Sequence, residues 1–131
     1  MISKLEDFKV YNLSMEVGEV VWNIVMRCEY FEKSTVGKQL VSAVDSIPAN
    51  LSEGLGRYHF KEAKNFACYS RGSLFETKTW ITKAFNRKLV KEEEFIQVIG
   101  RIEEIGKMIN GYIKSIGAVS EPDPNYNSTD I

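Results

Sequence analysis

Only two cysteines, three prolines and one histidine occur in the 131 residues, and no apolar run approaches the ~20 residues of a membrane-spanning helix. Each scarcity excludes something. Cys28 and Cys68 lack CxxC spacing, so they read as small hydrophobes at core or near-core positions in a reducing compartment. The metal-binding four-helix bundles need Glu-x-x-His pairs on facing helices, and one histidine outside such a pair rules them out. That residue, His59, reads as a surface or capping group. The first ten residues carry Lys4, Glu6, Asp7 and Lys9, which leaves no room for a signal peptide. Charge is balanced as well: 17 basic against 18 acidic side chains leave a net of -1, so any anion site has to be local rather than a property of the whole surface. No nucleophile, base and orienter can be assembled from the motifs present. The expectation is a cytoplasmic protein without enzymatic activity, cofactor, metal or membrane role.

What is present is a helical rhythm. Phe95, Val98, Ile102, Ile105, Ile109, Tyr112 and Ile116 step by three and four, predicting one seam along a helix over 91–117. Phe60, Ala63, Ala67, Ser70, Leu74, Thr77, Ile81 and Ala84 predict another over 60–87, with small residues that admit a close neighbour. Val10, Ser14, Val17, Val21, Ile24, Cys28 and Phe31 predict a first helix over 7–32. Leu40, Val44, Ile47 and Leu51 mark a shorter second one, with a kink expected at Pro48. The run 33–37 reads as the break between the first two helices. Gly54 and Gly56 read as the stop of the second through a left-handed cap, and residues 86–88 close the third. The fold predicted is all-α: an antiparallel up-and-down four-helix bundle over 1–117, followed by a disordered tail over 118–131 whose prolines and polar residues cannot build a core.

One polar stretch falls where the second helix should be finishing its core face. Asn50 and Glu53 share a helical face, and Glu53 and Arg57 stand four apart, within pairing distance if the last turn persists. Two readings stay open. Asn50 satisfies carbonyls freed by Pro48 while Glu53 and Arg57 fasten the loop, or the cluster serves as a ligand or nucleic-acid site. The run Ser46-Ile47-Pro48-Ala49-Asn50-Leu51-Ser52-Glu53-Gly54-x-Gly56-Arg57, followed by Gly72-Ser73-Leu74-x-Glu76-Thr77, resembles the signature of a bacterial four-helix bundle family encoded in intervening sequences of 23S rRNA genes, and it is similar to the accessory variability determinant of diversity-generating retroelements. The resemblance covers about residues 5–117 and adds Glu76 to the polar motif. It implies a ring-shaped homopentamer, no enzymatic activity and, in the strongly basic retroelement relatives, a ring that binds nucleic acid and reverse transcriptase. This chain is slightly acidic where those relatives are basic.

Two further features bear on partners. Tyr11, Met15, Trp22 and Val25 flank the first seam, and Phe66, Tyr69, Phe75 and Trp80 the third; one bundle has one core, so Trp22, Phe66, Phe75 and Trp80 are candidate contacts between copies. Lys64, Arg71 and Lys78 recur every seven residues and therefore lie in a row, with Lys61 one turn before and Arg57 at its foot. Repeated round a ring, that row would form a belt for RNA or DNA, with Tyr58 and Tyr69 as stacking partners. The alternative is that these cations pair with Glu103, Glu104 or other acids of a neighbouring helix or subunit. Two functions follow: an oligomeric, non-catalytic nucleic-acid-binding accessory protein, or an oligomeric scaffold or protein-interaction module with no nucleic-acid role.

Overall fold

The computed structural model describes residues 4–117; the tail expected to be disordered lies outside the described residues. Among those described there is no strand. Four helices follow one another: α1 Lys9–Met26, α2 over residues 30–55, α3 Phe60–Asn86 and α4 Glu92–Gly117. Connections of a few residues force each helix to run back along the one before it. α1 packs on α2 and α4, and α3 packs on α2 and α4, which closes the up-and-down four-helix bundle.

The seams explain the packing. On α3, Ala63, Ala67, Ser70, Leu74, Thr77, Ile81 and Ala84 are buried; on α4, Val98, Ile102, Ile105, Ile109 and Ile116 are. Leu40, Val44, Ile47 and Leu51 meet them from α2, and Val10, Val17, Val21 and Ile24 from α1. Each fully buried aliphatic side chain contributes about 1.5–3 kcal/mol relative to exposure. Three buried hydroxyls interrupt this core without cost, because each has a partner. Ser14 and Thr77 donate to Val10 and Ser73 carbonyls on their own helices, and Ser70 donates across to the Ile47 carbonyl of α2 at 2.8 Å.

The chain departs from its sequence pattern at the helix ends. α1 stops at Met26, six residues before the predicted end, and the reversal occupies Arg27 to Glu29. The segment Lys33–Gly37, expected to be the break, is instead a π turn inside α2, between the helical turn Tyr30–Glu32 and the helix Lys38–Leu55. Phe31 is consequently 71% exposed rather than on a seam, Cys28 is half-buried, and Val25, expected on a flank, lies in the core. Gly37 explains why this works: a Cβ there would come within 2.7 Å of Val25 Cγ1, so the glycine serves close helix contact. Helical structure runs uninterrupted through Pro48. Neither Gly54 nor Gly56 adopts a left-handed conformation; α2 ends on Gly56 at φ -76°, and among the described residues the left-handed one is Lys88, φ 64°, after α3.

Candidate nucleic-acid interface

Residues seven apart on a helix lie on nearly one line. On α3 that line, through Lys64, Arg71 and Lys78, borders the seam on the side facing α4. The hairpin register sets Arg71 beside Asn110 and Leu74 beside Gly106, and stacks Phe85 on Phe95 at 4.3 Å. A groove of about 430 Å³ results, with Leu74 and Ile102 as its floor and Arg71, Phe75, Lys78, Glu103, Lys107 and Asn110 around it. Gly106 keeps it open at the floor, since a Cβ there would lie 3.1 Å from Leu74 Cδ2.

Arg71 is held in place. Its Nε donates to Asn110 Oδ1 at 2.9 Å, and its guanidinium carbon lies 4.9 Å from the centre of the Phe75 ring. Nε is thereby used while both Nη groups keep donors for an incoming acceptor. Lys78 and Lys107 have no ion pair among the described residues, and Glu103 is the one acid among the groove's lining residues. Phe75, 58% exposed, lines the same groove, with the Arg71 guanidinium over its ring. Three cations against one carboxylate leave the groove locally positive beside an exposed aromatic.

The other predicted residues lie elsewhere. Arg57, at the α2–α3 turn, pairs with Glu53 at 3.0 Å and with Glu62 at 3.4 Å and lies over the Phe66 ring, so it serves as a clasp outside the groove. Lys61 is exposed on the first turn of α3, and Lys64, partly buried, precedes the groove by two turns. Asn50 donates to the Ser46 carbonyl on its own helix and not to the Val44 carbonyl that Pro48 leaves without a donor. Glu76 accepts from the Trp80 indole N–H at 3.3 Å and has no bond to Asn50, Glu53 or Arg57. The four residues of the polar motif thus form no single site. The aromatic candidates divide as well. Trp22 and Phe75 are exposed, Trp80 is partly buried against the core, and Phe66 is partly buried beside Gly54, edge-on to Tyr69. Of the stacking partners expected, Tyr58 is exposed but meets His59 at the α2–α3 turn, and neither tyrosine lines the groove.

Sequence reasoning missed Lys107 and Asn110, which matter only once the α3–α4 register is known. It also missed the pairing of Arg27 with Glu94. Arg27 donates both Nη groups to the Glu94 carboxylate at 2.7 Å, tying the end of α1 to the start of α4. Glu94 also accepts from the Lys91 backbone N–H, half of a capping box. The guanidinium hydrogen bonds hold the Glu94 carboxyl below the usual range despite partial burial, and raise Arg27 in return. Among the described residues no three His, Cys, Asp or Glu side chains cluster as metal ligands, and no helix is long and apolar enough to cross a membrane.

Comparison with known proteins agrees with this architecture. No curated protein matches the sequence. Among solved structures, the fold is similar to that of a protein of unknown function from the S23 ribosomal protein family of Bacteroides thetaiotaomicron. The TM-score is 0.73 at 20% identity, over 80% of this chain and 98% of that one. At that identity the likeness concerns the fold. The family described as 23S rRNA-intervening sequence protein matches residues 6–111, a span that contains both polar motifs and reaches into all four helices, and the chain therefore belongs to that family.

Proposed function

We propose that the protein is a non-catalytic cytoplasmic bundle with two associations: with itself, five copies being the preferred number, and, through the α3–α4 groove of a copy whose groove is open, with single-stranded RNA or DNA. The observation that carries the reading is Arg71, fixed between Asn110 and Phe75 with its Nη donors unused, and flanked by Lys78 and Lys107. Phosphates meet the cations while a base stacks on Phe75, a combination that tolerates sequence because every base has a π face. Photo-cross-linking with bromouridine-substituted RNA tests the reading. Adducts are expected in peptides containing Phe75 and residues 106–110. Adducts confined to Tyr58 and Tyr69, or none, would overturn it.

A protein-binding scaffold is the second reading, favoured by Met15, Trp22 and Met26, each 47% exposed along α1. Absence of salt-sensitive binding to RNA or DNA would leave this one standing.

A further inference from the structure

On the side of the bundle opposite the groove, the charge has the other sign. Between α1 and α2 runs a trough of about 310 Å³ with Tyr11, Met15 and Pro48 as apolar lining and Glu19 and Asp45 as its acids. Gly18 brings the two helices together there, since a Cβ on it would stand 3.2 Å from Asp45 Oδ1. Neither acid has an ion pair among the described residues. Burial, and then the charge of Glu19, pushes the Asp45 carboxyl above its usual range, as expected for acids that lack a cation. The trough therefore carries unneutralised negative charge beside the exposed Met15, and the groove carries unneutralised positive charge beside the exposed Phe75.

We infer that the acidic α1–α2 trough of one copy docks on the cationic α3–α4 groove of a second copy, so that self-assembly covers the groove and competes with the nucleic acid. The inference rests on the groove's being the anion site, as proposed above. Docking two different faces is a heterologous contact, which extends from copy to copy and closes into a ring where the rotation allows. Complementary charge selects this pairing, because trough against trough or groove against groove sets like charges together. Competition then follows by linkage: whatever binds the groove of the free copy lowers the affinity between copies, and the reverse.

Charge reversal tests the contact without nucleic acid. Two double variants, Glu19→Lys with Asp45→Lys and Arg71→Glu with Lys78→Glu, are compared by sedimentation velocity at low salt, with circular dichroism reporting the fold. Each alone should keep its helicity and associate at least about tenfold more weakly than wild type. Equimolar mixing should restore association between the two variants, because each reversed face then meets an opposite one. Monomeric wild type, variants that assemble like wild type, or a folded mixture that stays monomeric would each overturn the docking. A second arm adds short oligothymidylate to wild type. A fall in mean mass as it binds is expected. Binding with unchanged mass would refute the competition alone, and restored assembly in the mixture without oligothymidylate binding would refute the groove's role as a nucleic-acid site while leaving the docking intact.

Discussion

Gly54→Ala tests whether the motif glycine is there for close helix contact. A left-handed stop does not explain it, because Gly54 has a right-handed helical backbone that alanine adopts without strain. In the structure Gly54 is helical and buried, and an added Cβ would stand 2.8 Å from Phe66 Cβ, 3.1 Å from the Ala63 carbonyl oxygen and 3.4 Å from Ala63 Cα. Comfortable carbon contacts begin near ~3.5 Å, so α2 and α3 would have to part by several tenths of an ångström, and the atoms in the way are backbone or bound directly to it. Overpacking of this kind costs about 1–3 kcal/mol. Higher helix propensity returns at most about 1 kcal/mol, less in a last turn. The net expectation is a loss of about 1–2 kcal/mol, or roughly 4–8 °C in Tm for a domain of this size. Gly72 supplies the control, since it lies mid-α3, exposed, and a Cβ added there would meet nothing within 4 Å. Gly72→Ala should gain about 0.5–1 kcal/mol. Thermal melts followed by circular dichroism decide it: a Gly54→Ala melt at or above wild type would refute the close-approach argument.

Arg57→Ala removes two ion pairs and a ring contact, but the side chain is 40% exposed, so the loss should be under about 1 kcal/mol; a larger drop in chemical denaturation would mean the clasp orders the whole α2–α3 turn. Glu94→Gln should cost about 1 kcal/mol at neutral pH, allowing for the exposure of Arg27. Because the folded carboxyl is held low, that contribution is complete above the ordinary glutamate pKa of about 4.3 and disappears as pH falls through the folded value, so wild-type and variant melts should converge in acid. Divergence on acidification would contradict the pairing. Trp80→Glu should destabilise the bundle, since Trp80 packs on the core, whereas Trp22→Glu should keep full helicity and act on association; equal loss of helicity in both would place Trp22 inside.

The seams of α3 and α4 were legible because burial on one helix face leaves a periodic trace in sequence, and Ala63 through Ala84 and Val98 through Ile116 carry it with few exceptions. The turn between α1 and α2 was not. Lys33–Gly37 has the composition of a loop, yet Val36 is buried and Gly37 is small because Val25 stands against it, and no sequence signal separates a glycine that ends a helix from one that admits another helix. Gly54 misled in the same way. The row of Lys64, Arg71 and Lys78 was visible as spacing, but the groove was not, because half of it comes from α4 and depends on register. The polar motif Asn50, Glu53, Arg57 and Glu76 looked like one cluster in sequence; its members are bound within their own helices or to the turn.

The groove's role is tested most directly by the salt dependence of single-strand binding. Affinity for a short RNA or DNA is measured across a salt series for wild type and for two triple variants: Lys64, Arg71 and Lys78 to Gln, and Arg71, Lys78 and Lys107 to Gln. Removing one cation that neutralises a phosphate should flatten the log-log slope by about 0.7. The account predicts salt-sensitive wild-type binding and a flatter slope in both variants, with the greater loss when Lys107 is included. Wild type without salt-sensitive binding, or variants that keep its slope, would contradict it.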